Sequence, residues 1–268
     1  MAAAMNPHPV DFHDTGGDGP PILFIPGSFS TSVAWRPMQA HLTPQRIIGT
    51  SLCGYGATPE TRTLEDAGLA HQTRVIEAAA ARIGAPVHLV GHSYGGTCAL
   101  VAALGGRIDL LSVATFEANP LPLLRARGRS DLYDQTVAMS RAFERAHFEG
   151  EVDAAARIID FWGNGPVFHG LPAPVQDYCR QTAFANVLDW RSVQDDGISP
   201  DAFRALDCPV LLVRGAHANP AMVEITATLA ETLPNARAAT VDGAGHFLIS
   251  THPKDCADLL ADFHAVIA

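Results

Sequence analysis

Short apolar runs alternate along this chain with longer stretches whose apolar residues recur at helical spacing. Pro21 to Ile25, Ile47 to Thr50, Val87 to Val90, Leu110 to Phe116, Pro209 to Val213 and Ala238 to Val241 read as strands. Leu64 to Ile83, Thr97 to Leu104, Ala221 to Leu233 and Ala257 to Ile267 read as helices between and after them. Strand followed by helix, repeated, predicts an α/β fold with a mostly parallel sheet covered by helices. From Pro120 to Leu206 the texture changes: Ala, Arg and aromatic residues recur at helical spacing and no convincing strand is present. Such a stretch is too long for a simple loop. It is expected to be a helical cap, residues 120–206, inserted into a core made of residues 1–119 and 207–268. No internal repeat or low-complexity tract interrupts this pattern.

Composition narrows the function classes. A chain of 268 residues, 47% hydrophobic and 17% charged, can bury a large core and suits one α/β domain with an insertion. Its formal net charge of −10 argues against nucleic acid or an anionic membrane as partner. The nearest thing to a basic cluster, Arg125, Arg127 and Arg129, is followed closely by Asp131 and Asp134. Cys53, Cys98, Cys179, Cys208 and Cys256 are odd in number, widely spaced and mostly in apolar surroundings, as expected of buried thiols in a reducing compartment. Met1 to Pro7 lacks the basic start and apolar core of a secretory signal, and no apolar run reaches membrane-spanning length. These features point to a cytoplasmic protein whose partner is a small-molecule substrate, and a homodimer is compatible with them.

The strongest chemical signal lies between Val87 and Leu104. The run Val87-His88-Leu89-Val90 breaks into Gly91-His92-Ser93-Tyr94-Gly95-Gly96 and resumes as helix. Glycines on both sides of Ser93 permit a sharp strand-to-helix turn with the serine exposed at its tip and helical N–H groups aimed at it. The pattern reads as a nucleophile elbow. The bare five-residue pattern arises by chance, and its strand and helix context separates it from a Gly-rich turn carrying an idle serine.

Four motifs in order resemble the α/β-hydrolase superfamily over nearly the whole chain. Phe24-Ile25-Pro26-Gly27-Ser28-Phe29, ahead of Trp35, resembles the oxyanion-hole turn, with Pro26-Gly27 where the family usually has His-Gly. Ser51-Leu52-Cys53-Gly54-Tyr55-Gly56-Ala57-Thr58 resembles the family's Asp-x-x-Gly-x-Gly-x-Ser loop, with Ser51 replacing the Asp. The elbow at Ser93 follows, and Val241-Asp242-Gly243-Ala244-Gly245-His246-Phe247 resembles the loop that presents the catalytic histidine. Elementary chemistry agrees. A serine hydroxyl needs a base in hydrogen-bond reach, and a free imidazole titrates at about 6.5. Of the 12 histidines, His246 alone follows the last strand in a glycine-bearing loop before the last helix. His8, His13, His41, His147, His169 and His252 suit solvated or capping roles, and His92 should project away from the serine hydroxyl. No His, Asp or Glu pair shows a metal-ligand spacing on a recognisable helix, and the implied chemistry needs neither metal nor organic cofactor.

The third member of the triad departs from the family's common pattern. The resemblance puts an Asp three residues after the glycine that ends the penultimate strand, and here that position is Ala218. Alanine can neither accept the imidazole N–H nor stabilise imidazolium. The strand after the elbow helix ends Phe116-Glu117-Ala118-Asn119-Pro120, similar to a branch of haloalkane dehalogenases that carries its acid at this earlier strand end. Glu117 is therefore the expected acid, ahead of Asp242 and Asp207, because parallel strands bring their C-terminal ends to one rim. The expected oxyanion donors are the backbone N–H of Tyr94 and that of Ser28 or Phe29, where side-chain identity should matter little.

These expectations describe a serine hydrolase that forms an acyl-enzyme on a carboxylic ester. A lactone, a thioester or a carbon–carbon bond beside a ketone is open to the same apparatus, and a non-catalytic small-molecule binder of the same fold is the alternative from another class. The cap should roof the pocket. Among its aromatics, Phe143, Phe148, Phe161, Trp162, Phe168, Tyr178, Phe184 and Trp190, the turn at Phe161 to Pro166 is expected to face the site, making Trp162, with Phe29, a substrate contact.

Overall fold

The computed structural model describes residues 10–43, 45–194 and 198–267; the Met1 to Pro7 stretch and His8 lie outside the described residues. One sheet is built from β1 (Phe12–Asp14), β2 (Ile22–Ile25), β3 (Ile47–Thr50), β4 (Val87–His92), β5 (Leu110–Phe116), β6 (Val210–Gly215) and β7 (Ala236–Val241). The spatial order is β1-β3-β2-β4-β5-β6-β7; β1 runs antiparallel to β3 and every other pairing is parallel. The helices are α1 (Arg36–Gln39), α2 (Ala70–Ile83), α3 (Tyr94–Leu104), α4 (Pro122–Ala126), α5 (Ser130–Phe148), α6 (Ala156–Gly163), α7 (Ala173–Gln181), α8 (Ala183–Ser192), α9 (Pro200–Phe203), α10 (Pro220–Thr232), α11 (Leu248–Thr251) and α12 (Pro253–Ile267). Helices α4 to α9 all lie between β5 and β6, and the described residues there include no strand.

Alternate residues of a strand face opposite sides of its sheet, and here both sides are covered. Ile22, Phe24, Val90, Leu211 and Val213 pack with Trp35, Leu260 and Phe263 on one face. Leu23, Ile25, Leu89, Val113 and Leu212 pack with Ile76, Leu100 and Ile225 on the other. The short helices α1 and α11 were not expected, α3 and α12 begin three and four residues earlier than expected, and two further differences have a local cause. The three-residue edge strand β1 carries too few residues to show a period. Helix α2 starts at Ala70 rather than at residue 64, because the Thr63 hydroxyl accepts the N–H groups of Glu65 (3.2 Å) and Asp66 (3.1 Å) in a local turn that competes with helix.

The registers decide what the sheet presents at its C-terminal rim. His92 pairs with Phe116, and Phe116 with Val213, so β4, β5 and β6 end side by side. Pairing then runs one step further. The Ser93 N–H donates to the Phe116 carbonyl (2.9 Å), and the Glu117 N–H to the Val213 carbonyl (2.8 Å). Beyond β6 and β7, the His217 N–H donates to the Ala244 carbonyl at 2.8 Å, docking the two exit loops on each other.

Candidate active site

Ser93 sits between β4 and α3 with φ 52° and ψ −125°, a conformation that costs a non-glycine residue about 1–3 kcal/mol. Its neighbours hold the turn shut. A Cβ on Gly91 would stand 2.5 Å from the Gly95 carbonyl oxygen, and one on Gly95 would stand 2.2 Å from that of Pro26. No side chain fits in either place. Four non-glycine residues among those described have positive φ: Phe29, Ser93, Glu117 and Asn164. Three of them lie at the exits of β2, β4 and β5, where the backbone must turn inward at once to put a side chain or an N–H group on the rim.

The three residues read as nucleophile, base and acid meet. His246 Nδ1 lies 2.8 Å from Glu117 Oε2, and His246 Nε2 lies 3.1 Å from Ser93 Oγ. An ionised carboxylate only accepts hydrogen bonds, so Nδ1 carries the proton and the Nε2 lone pair faces the serine hydroxyl. All three are shielded: Ser93 is 8% exposed, His246 4% and Glu117 1%. Burial pushes the Glu117 carboxyl up, but the hydrogen bond and charge of His246, with the Gly215 N–H donating to Oε1 at 2.8 Å, outweigh it and hold the group below its ordinary value. Ala218 occupies the loop after β6 and leaves the imidazole to Glu117, while Asp207 and Asp242 are solvent-exposed. His92 does turn from the serine. Its Nε2–H donates to the His246 carbonyl at 2.9 Å, and burial, with repulsion from His246, drives its pKa down to about 3, so it anchors the histidine loop as a neutral donor.

Beside the serine runs the turn after β2. A Cβ on Gly27 would come within 3.1 Å of Ser93 Cβ, so the turn passes in contact with Ser93. A cavity of about 420 Å³ opens over Ser93 and His246, lined chiefly by apolar side chains that include Phe29, Trp162, Trp190 and Val193. The Trp162 ring lies 5.5 Å from the His246 ring, and the Trp190 ring stacks behind it at 6.0 Å and 6°. Trp162 reaches this position because α6 ends at Asn164 in the left-handed conformation and the Asn164 amide donates to the His217 carbonyl at 2.9 Å. Phe161 packs edge-on against Trp162 at 4.9 Å, and the other aromatics singled out in residues 120–206 go elsewhere. Phe143 and Phe168 are buried among the helices, Phe148 and Phe184 are exposed, and the Tyr178 hydroxyl accepts the Gly56 N–H at 3.0 Å.

One functional candidate was invisible in the sequence. Asp189, on α8, is buried at the cavity wall. Its Oδ2 accepts the hydroxyls of Ser28 and Tyr55, each at 2.6 Å, and its Oδ1 accepts Arg62 Nη1 at 2.6 Å. Burial lifts this carboxyl above the ordinary range even against the charge of Arg62. Its partners lie 161, 134 and 127 residues away in the chain, so no local spacing announces them.

Comparison with known proteins bears on the family and the fold. The model of the alpha/beta hydrolase family matches residues 22–259. A 2-(acetamidomethylene)succinate hydrolase from Mesorhizobium japonicum is 26% identical over 258 residues, 92% of this chain and 88% of that one. A pimeloyl-[acyl-carrier protein] methyl ester esterase from Aromatoleum aromaticum is 38% identical over 94 residues, 32% of this chain; the match spans about a third of that protein, 33% of its length. Among solved structures, an esterase from Exiguobacterium antarcticum superposes with a TM-score of 0.75 at 17% identity, covering 95% of this chain and 94% of that one. That likeness speaks for the fold.

Proposed function

The chain belongs to the alpha/beta hydrolase family, and from that premise we propose that it is a serine hydrolase cleaving small carboxylic esters with an apolar acyl or alcohol group. The observation that carries the reading is the continuous relay from Ser93 Oγ through His246 to Glu117, at 3.1 and 2.8 Å. Ser93 attacks the ester carbonyl as its proton passes to His246 Nε2, and Glu117 stabilises the imidazolium that forms. The oxyanion of the tetrahedral intermediate is met by the backbone N–H groups of Tyr94, at the start of α3, and of Ser28. Collapse expels the alcohol, which takes the proton from His246. Water then enters, loses a proton to His246 and releases the acid, restoring Ser93.

Residues 120–206 act as the cap, and Trp162 and Phe29 supply the apolar wall against which the substrate is held. The names of both relatives support hydrolysis at this site, and the esterase name of one supports an ester as the bond cleaved. Five unpaired thiols support a reducing compartment, and we assign the protein to the cytoplasm. Among the described residues no helix is long and apolar enough to cross a membrane.

The test is labelling by a fluorophosphonate probe with peptide mapping of the adduct, together with turnover of p-nitrophenyl esters of increasing acyl length. An adduct on Ser93 and turnover of at least the short ester are expected. A folded protein that neither labels nor turns over any member of the series would overturn the reading and favour a binding protein.

A further inference from the structure

Both residues that supply the proposed oxyanion donors end their side chains on one helix of the cap. Ser28 Oγ donates to Asp189 Oδ2 at 2.6 Å; Tyr94 OH meets Ser192 Oγ at 2.7 Å and receives Arg62 Nη1 at 3.3 Å. Asp189 and Ser192 are both on α8. Arg62 completes the bridge between core and cap. It binds Asp189 Oδ1 and the Ala185 carbonyl (3.2 Å) on the cap side, the Cys53 carbonyl (3.1 Å) on the core side, and Glu60 through two bonds of 2.8 Å.

A buried ion pair is weak evidence for stability, since apolar side chains of similar volume generally serve as well or better. What this one does is hold two hydroxyls and a guanidinium in fixed directions. The Ser28 tether matters most. Ser28 lies between Gly27, in contact with the nucleophile, and Phe29, whose φ is 58°. A turn in that strained conformation persists only where surrounding contacts over-determine it. The bond to Asp189 is one such contact, and it comes from the cap rather than from the sheet that builds the turn.

We propose that Asp189 is a positioning residue for the oxyanion hole: through Ser28 it holds the turn after β2 in register with Tyr94, so that the hole is complete only when α8 is seated on the core. This rests on the serine-hydrolase reading and deepens it. It also reverses the expectation that side-chain identity at position 28 matters little. A transition state gains from donors already aimed at the developing charge, whereas ground-state binding in an apolar cavity depends little on them.

Ser28→Ala isolates the tether, because the backbone N–H remains and only the hydroxyl is lost. Its kcat on a p-nitrophenyl ester should fall about 10- to 100-fold, below the 10²–10³ lost with a whole donor, while KM stays within about threefold. Affinity for an aryl trifluoromethyl ketone, whose hemiketal oxyanion occupies the hole, should fall in parallel with kcat/KM. Ser28→Thr, which keeps the hydroxyl, should recover most of the rate. In Ser28→Ala/Asp189→Asn the second change should add less than it costs alone, since both break the same bond.

Wild-type kcat and inhibitor affinity in Ser28→Ala, with wild-type enzyme labelled and active, would overturn this inference and leave the serine mechanism standing. A loss confined to KM, or one that follows thermal stability and is not recovered by Ser28→Thr, would overturn it equally, making the tether a binding or packing contact. Failure of wild-type enzyme to label would remove the serine-hydrolase reading and the inference with it.

Discussion

Replacing Glu117 by glutamine tests the relay at its least expected member. The carboxylate receives two donors, the Gly215 N–H on Oε1 and the His246 Nδ1–H on Oε2, both at 2.8 Å. An amide has one acceptor and one donor end. The Gly215 N–H is a fixed backbone donor and must keep the oxygen, so the glutamine NH₂ is forced toward His246 Nδ1. The imidazole then takes the other tautomer, with its proton on Nε2 facing Ser93, and cannot act as base. Volume and shape are unchanged, so the fold should survive, as circular dichroism and a melting curve can check. The rate should not: a wrong-tautomer acid replacement lowers kcat roughly 10⁴-fold, or about 5 kcal/mol of transition-state stabilisation. The assay is steady-state hydrolysis of a short p-nitrophenyl ester. Adding Ala218→Asp to this variant should recover part of the loss, because the loop after Gly215 is docked on the loop that carries His246: a Cβ on Gly215 would stand 2.3 Å from the Ala244 oxygen. Glu117→Gln activity within about tenfold of wild type in a folded protein would refute the tautomer argument and the assignment of the acid.

Ser93→Ala should abolish fluorophosphonate labelling and lower kcat by about 10⁴-fold or more, with a melting temperature no lower than wild type, since the change removes a hydroxyl from a strained turn; residual ester turnover near wild type would exclude Ser93 as nucleophile. Trp162→Phe keeps a ring over His246 but opens the cavity, so kcat/KM should rise for the longest acyl chains relative to acetate, and a uniform change across the series would make Trp162 a packing residue only. Acid should unfold the protein through two buried imidazoles, one on β4 and one on α12. His88 and His264 stack at 3.9 Å; burial lowers His88 to about 4, and burial with repulsion from His88 lowers His264 to about 3. The unfolded chain binds these protons near pH 6.5 and the folded chain does not, so their destabilisation is absent above that pH and grows as pH falls toward 4, by about 1.4 kcal/mol per pH unit for each imidazole. His264→Phe should therefore narrow the gap between melting temperatures at pH 7.5 and pH 5, and an unchanged gap would refute the linkage.

Much of the candidate site was legible because its signals are local. A sharp strand-to-helix turn needs glycines beside its serine, so Gly91, Ser93 and Gly95 announce one another within five residues. His246 follows the last strand in a loop of small residues, and Glu117 could be named once Ala218 left the usual acid position empty. The parallel sheet was legible for the same reason, since continuous apolar runs and intervening helical periods are properties of neighbouring residues. Only chains long enough to show a period were readable this way, which is why β1 passed unnoticed and α2 was begun a turn and a half too early.

What the tertiary structure alone decided are the relations that no spacing encodes. Position 189 is one aspartate in a helix of mixed residues until folding brings Ser28, Tyr55 and Arg62 to its two oxygens. Trp162 and Trp190 are two among the many aromatics in residues 120–206, and only packing set Trp162 beside His246 with Trp190 stacked on it. The positive φ angles of Phe29, Ser93 and Glu117 belong to residue types that avoid that region when free. Local sequence determines which conformations a segment prefers and so sets the elements and the turn that carries Ser93. Strained rotations and buried charges are held against those preferences by contacts between distant segments, and so they exist only once the core, the rim and the helices above it have closed on one another.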